Sequence, residues 1–121
     1  MTNILLVDDD KTSGNLIKLL LEMDGFNVTI SPDLEQARQK TTKEITAFII
    51  DCNLSRGDNG IELLREIREG KTAVPADTPV IMTSGDDRRS REAAASGATI
   101  FLLKPYPPSR LSDELKNLTG N

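Results

Sequence analysis

Histidine is absent from this 121-residue chain, and cysteine occurs once, at Cys52. Without histidine there is no imidazole base, no histidine nucleophile and no histidine zinc ligand, so three common chemistries drop out together. A single thiol forms no internal disulfide, which points to a reducing compartment. Apolar runs are short: Ile4–Val7, Ala47–Ile50 and Ile100–Leu103 are each four residues long, far below the roughly 20 needed to span a bilayer. The first ten residues lack the basic start and apolar centre of a secretory signal, because acids arrive at Asp8. The expected location is cytoplasmic, with no membrane contact. No basic stripe is present either. With a net charge of −4 and a pI near 4.8, the domain is poorly suited to hold nucleic-acid phosphates directly.

The remaining composition, 37% hydrophobic and 28% charged, is that of a globular chain. Its length fits one domain over residues 1–121, able to bury about two-thirds of its unfolded surface. No repeat, low-complexity tract or internal linker divides it. Because the first strand begins almost at Met1, the domain is expected to be N-terminal in its protein or all of it.

Apolar strand-like runs alternate with amphipathic ones. Ile4–Val7 reads as a strand. Leu16, Ile17, Leu20, Leu21 and Met23 follow at helical spacing, stopped by Gly25. Phe26–Ile30 reads as a second strand, followed by a helix over 33–43 capped by Ser31 or Asp33. Ala47–Ile50 is a third strand; Ile61, Leu64 and Ile67 then share a helical face that ends at Gly70. Val80–Met82 leads into Thr83, and a polar, alanine-rich helix over 86–96 closes at Gly97. Ile100–Leu103 ends at Lys104-Pro105, and the last helix runs from Pro108 or Ser109 to Leu118, with Leu111, Leu115 and Leu118 facing inward. This alternation predicts an α/β fold: a three-layer (βα)5 doubly wound parallel five-stranded sheet with right-handed crossovers. The chain is too short for an eight-stranded barrel.

In an open parallel sheet, ligands bind at the carboxyl rim. Asp8 with Asp9, Asp51, Thr83 and Lys104 stand where strands end, so all converge on that rim. Singly, each has an ordinary reading. An aspartate caps a helix, a threonine satisfies a carbonyl, and a lysine reaches solvent along its stem. Asp8-Asp9-Asp10 exceeds what one cap requires, however, and clustered carboxylates repel, share protons or gather around a cation. Oxygen donors alone favour a hard ion such as Mg2+. Asp10 is then the cap of the helix at Lys11, leaving Asp8 and Asp9 as ligands.

The stretches Leu5-Leu6-Val7-Asp8-Asp9, Phe48-Ile49-Ile50-Asp51, Gly60-Ile61-Glu62-Leu63-Leu64, Pro79-Val80-Ile81-Met82-Thr83-Ser84-Gly85 and Gly97-Ala98 through Phe101-Leu102-Leu103-Lys104-Pro105 resemble the response-regulator receiver domains of two-component signalling. The resemblance covers essentially the whole chain. It implies the flavodoxin-like strand order 2-1-3-4-5 and makes Asp51 the phospho-acceptor. It further implies Mg2+ held by Asp8, Asp9, Asp51 and the Asn53 backbone carbonyl, with Lys104 and Thr83 on the phosphoryl oxygens. Phe101 matches the aromatic that changes rotamer on activation, so Thr83 and Phe101 form the implied switch. The implied partners are a sensor histidine kinase or phosphotransfer protein, and an effector domain or protein reached through the 86–118 face. Homodimerisation on phosphorylation is a further implied outcome. The sequence departs from the family pattern in two places. The segment from Asp51 to Gly60 is one residue longer than common, with Ser55 where proline is usual, and Gly85 stands where many relatives carry a larger side chain.

Asp8-Asp9-Asp10-Lys11-Thr12 also fits the Asp-x-Asp-x-Thr signature of haloacid-dehalogenase-type phosphohydrolases, with Asp8 as nucleophile and Asp10 as acid/base. That alternative leaves Asp51 without a role, and after Lys104 only Asp113 and Glu114 supply an acidic pair. A phosphorylation-independent interaction module of the same fold is the third alternative, against which the full set of rim residues argues.

Overall fold

The computed structural model describes residues 2–120; Met1 and Asn121 lie outside the described residues. Five parallel strands form one sheet: β1 (Asn3–Val7), β2 (Asn27–Ser31), β3 (Ala47–Asp51), β4 (Val80–Ser84) and β5 (Ile100–Leu103). Their spatial order is β2-β1-β3-β4-β5, as the resemblance implied. The helices are α1 (Lys11–Met23), α2 (Leu34–Lys40), α3 (Ile61–Arg68), α4 (Arg89–Ala95) and α5 (Pro108–Thr119).

Alternation along the strands sorts the core into two layers. Leu5, Val7, Phe48, Ile50, Val80 and Met82 face α2, α3 and α4, where they meet Leu34, Ala37, Ile61, Leu64, Ile67 and Ala93. Ile4, Leu6, Ala47, Ile49, Ile81 and Leu102 face α1 and α5, packing on Leu21, Leu111 and Leu115. Of the three inner strands, β3 and β4 are buried at every position and β1 at all but Asn3, as expected of strands covered on both faces.

Several boundaries differ from the expected ones, each for a local reason. Phe26 precedes β2 because its N–H closes α1 on the Leu21 carbonyl at 3.1 Å, past Gly25 at φ +93°. The second helix stops at Lys40 rather than at 43: Thr41 Oγ1 donates to the Ala37 carbonyl at 2.7 Å and turns the chain out. Its cap is Asp33, which accepts from the Gln36 N–H, while Ser31 belongs to β2. The fourth helix begins at Arg89, not Asp86. Asp86 donates its N–H to Ser84 Oγ and accepts from the Arg88 N–H, so residues 86–88 form a turn. On α1, Leu16 and Met23 do not reach the core; they are exposed, as is Leu19.

β2 is an edge strand. The Asn27 N–H donates to Thr2 and the Ser31 carbonyl accepts from Asp8, so Val28 and Ile30, at alternate positions, turn their backbone groups away from β1. Lys18 from α1 donates to the Val28 carbonyl at 2.6 Å, and Lys40 at the end of α2 donates to the Ile30 carbonyl at 2.8 Å. Opposite the rim, Arg68 at the end of α3 donates to the carbonyls of Gly97, Ala76 and Thr78 and to Thr99 Oγ1. One guanidinium thereby joins two loops to a helix.

Candidate functional site

The same alternation that builds the core builds the site. Leu6, Ile49, Ile81 and Leu102 all face α1 and α5. Two residues beyond each, where side-chain direction repeats, stand Asp8, Asp51, Thr83 and Lys104. Two carboxylates, a hydroxyl and an ammonium thus leave the sheet on one side, at one end.

Carboxylate oxygens of Asp8, Asp9 and Asp51 lie within 4.8 Å of one another. Asp8 and Asp51 are buried and Asp9 is exposed. Asp8 Oδ1 accepts the Asp10 N–H at 2.9 Å, and Asp10 in turn caps α1 by accepting from the Ser13 N–H, the role expected of it. Asp51 is fixed at both oxygens. Oδ1 accepts the Asn53 N–H at 3.0 Å, and Oδ2 accepts from Lys104 Nζ at 2.8 Å. Thr83 is buried and lies opposite Asp51 in the β3–β4 register. The Lys104–Pro105 peptide is cis.

Burial holds the Asp8 carboxyl above the ordinary carboxylate range. The charges of Asp51 and Asp9 push the same way, while the Asp10 N–H and the Lys104 ammonium pull it back. Burial alone would weaken Lys104 as a base. The hydrogen bond to Asp51 and the charges of Asp51 and Asp8 outweigh it, so its pKa rises and the ammonium persists. One ammonium therefore faces three acids. Such a site has a surplus of negative charge and oxygen donors only, the donor set of a hard divalent cation.

Phe101 stands one register step away on the neighbouring strand, opposite Met82, while Thr83 lies opposite Leu102. It is partly buried against the core layer that includes Ala93 of α4. Asn53 leaves β3 into a loop with a 3-10 turn at Ser55–Gly57, where Arg56 adopts φ 62°. Two residues of the site stand in stretches that carry the resemblance but were given no role of their own. Gly60 lies directly on the Asp51 backbone, where an added Cβ would be 2.6 Å from Ile50 Cγ2 and closer still to the Asp51 carbonyl oxygen. Ser84 is fully buried and accepts from Asn53 Nδ2 at 3.1 Å. Its place directly after Thr83 is the one signal that could have pointed to it. At Gly85 an added Cβ would meet nothing within 4 Å. Among the described residues, no helix is long and apolar enough to cross a membrane.

The family model that matches residues 4–116 is that of the response regulator receiver domain. The transcriptional regulatory protein CpxR of Escherichia coli is 37% identical over 108 residues, which are 88% of this chain and 44% of that protein. The chain thus spans less than half the length of that relative. A putative response regulator from Chloroflexus aurantiacus superposes with a TM-score of 0.87 at 28% identity, covering 99% of this chain and 98% of that one. The response regulator protein TrrA from Thermotoga maritima, solved in complex with Mg(2+)-BeF, has the same fold, with a TM-score of 0.85 at 24% identity over 98% of this chain and 99% of that one.

Proposed function

The chain belongs to the response regulator receiver domain family, and from that premise we propose that Asp51 is the residue that takes the phosphoryl group. The chain is a receiver domain of a two-component response regulator, a signalling phospho-acceptor and not an enzyme that turns over a separate substrate. The observation that carries the assignment to Asp51 is its 2.8 Å bond to Lys104. Of the clustered acids, it alone has a hydrogen-bonded cation at the attacking group among the described residues. Asp8, the competing nucleophile, likewise accepts a backbone N–H, from Asp10, but among the described residues has no ammonium bonded to it.

A carboxylate is a competent nucleophile for phosphoryl transfer and needs no base. An Asp51 oxygen forms the new bond to phosphorus as the donor's bond to phosphorus breaks, and the departing group keeps that electron pair. Lys104 then follows the charge from the carboxylate onto the phosphoryl oxygens, and the Thr83 hydroxyl donates to one of them. Asp8, Asp9, Asp51 and the Asn53 carbonyl would hold Mg2+, in line with the ion bound by the Thermotoga relative. When bound, that ion neutralises charge on the transferring group. The open space around Gly85 leaves the phosphoryl group accessible to water and shortens its lifetime.

Membership in the family implies a partnering histidine kinase. We place the donor, a kinase or phosphotransfer protein, over α1. That helix starts directly after the acidic cluster and leaves Leu16, Leu19 and Met23 exposed. Output would run from Thr83 to Phe101 and on to the 86–118 face, as a population shift toward the state in which Thr83 contacts the phosphoryl group. An effector, or a second copy on phosphorylation, would read that face in the cytoplasm. The domain at 1–121 would serve as the input unit of the protein.

Intact mass after incubation with acetyl phosphate, with and without Mg2+, tests the assignment. One Mg2+-dependent phosphoryl adduct is expected on the parent and none on Asp51→Asn. An adduct that survives Asp51→Asn and vanishes in Asp8→Asn would move the acceptor to Asp8.

A further inference from the structure

Asn53 is held on three sides. Its N–H donates to Asp51 Oδ1 at 3.0 Å. Beyond it, the Leu54 N–H donates to the Asp58 carbonyl at 3.0 Å, and the Gly60 N–H donates to the Cys52 carbonyl at 2.9 Å. In a trans peptide the carbonyl points opposite the N–H, so the Asn53 oxygen is turned away from Asp58. Among the described residues it accepts no hydrogen bond. The third restraint is the side chain, whose Nδ2 donates to Ser84 Oγ at 3.1 Å. The β3–β4 ladder ends where the Cys52 N–H meets the Thr83 carbonyl, so this bond is the next tie between the acceptor loop and β4. Ser84 Oγ also accepts the Asp86 N–H at 3.0 Å, the first bond of the turn that leads to α4.

We propose that Ser84 is a positioning residue for the divalent cation: through Asn53 Nδ2 it sets the direction of the free Asn53 carbonyl toward the ion held by Asp8, Asp9 and Asp51. This inference rests on the reading of the acidic cluster as a cation site. It adds that the cation site and the turn before α4 share one hydroxyl. Because coupling is reciprocal, an ion that tightens Asn53 also tightens the 85–88 turn, before any phosphoryl group arrives.

The test is Mg2+ affinity without phosphodonor, by titration calorimetry on the full chain, for the parent, Ser84→Ala, Asn53→Ala and the double variant. The Asp86 amide resonance is followed in the same titrations. Asn53→Ala keeps the backbone carbonyl and alters an exposed side chain, so it carries the test even where Ser84→Ala fails to fold. Each single substitution is expected to weaken Kd by about three- to tenfold, as the loss of one hydrogen bond does. The double variant should be no weaker than the worse single, because both remove the same bond. The Mg2+-dependent shift of the Asp86 amide should disappear in each variant. Unchanged Kd in either single, additive losses, or an Asp86 shift that persists without the bond would overturn the inference. If the parent itself binds no Mg2+, the cation-site reading falls and the inference with it. If the parent binds and the variants bind equally well, only the inference falls.

Discussion

Replacing Gly60 by alanine sets two effects of opposite sign against each other. Gly60 has helical dihedrals, φ −59° and ψ −20°, at the start of α3. Because alanine has less unfolded-chain freedom to lose, it would be the better residue at these dihedrals by about 0.4–1 kcal/mol. The surroundings say otherwise. The new Cβ would stand 2.6 Å from Ile50 Cγ2 and 3.1 Å from the Asp51 carbonyl carbon, where carbon atoms normally stay about 3.5–4.0 Å apart. Asp51 is backbone in a fully buried strand and yields little. Overpacking of this kind typically costs about 1–3 kcal/mol, and more where backbone must move. We expect a net loss of at least about 2 kcal/mol, which for a chain of this size lowers Tm by roughly 8 °C or more. Urea unfolding with an unchanged m-value would measure it. Any shift that relieves the clash also moves Asp51, so phosphorylation from acetyl phosphate should slow at temperatures where the variant is fully folded. Gly85→Ala is the control, since its Cβ meets nothing, and it should stay within about 0.5 kcal/mol of the parent. A Gly60→Ala variant as stable as Gly85→Ala would refute the steric argument.

Arg68→Met removes donors to three carbonyls and one hydroxyl and should cost about 2–4 kcal/mol in denaturant unfolding. Its phosphorylation rate should match the parent, because Arg68 lies at the far end of the sheet. In metal-free buffer, Asp8→Asn should be more stable than the parent at neutral pH. A carboxyl whose folded pKa is raised holds its proton longer in the native state, so parent stability falls as pH rises from the ordinary value of 3.8 through the raised one. Asparagine has no such loss, and thermal midpoints of the two should converge below that window; a gap independent of pH would contradict the burial argument. Burial pushes the Cys52 thiol up to about 11, so a thiol reagent should modify it only at the rate of unfolding. Fast modification under native conditions would contradict its placement in the core.

Strand number, helix number and the rim residues were legible because they depend on period and on strand ends. An apolar run between turn residues marks a buried strand, and parallel strands bring their ends to one rim. The errors arose where side chains compete locally with backbone. Thr41 ended a helix early, and Asp86 with Ser84 converted the expected start of another into a turn. Leu16 and Met23 obeyed helical spacing yet face outward, since spacing alone does not tell a core stripe from a second apolar face. The choice of face for the site was also available in the sequence, two residues back from each rim residue. What spacing could not supply was the contact between Asn53 and Ser84. It joins residues 31 positions apart through a loop of irregular backbone, and no periodicity describes it.

The two lysines that reach β2 from α1 and α2 set how this domain behaves among crowded neighbours. An exposed edge strand is a template on which another chain can extend the sheet, and that route leads to swapped dimers and fibrils. Here an incoming strand would find the Val28 and Ile30 carbonyls already taken by ammonium groups arriving from opposite faces of the sheet. It would have to strip and strand both charges to pair. Helices α1 and α2 therefore act as bolts on the β2 edge of the sheet, and a neighbouring domain adheres there through its backbone only after both are drawn.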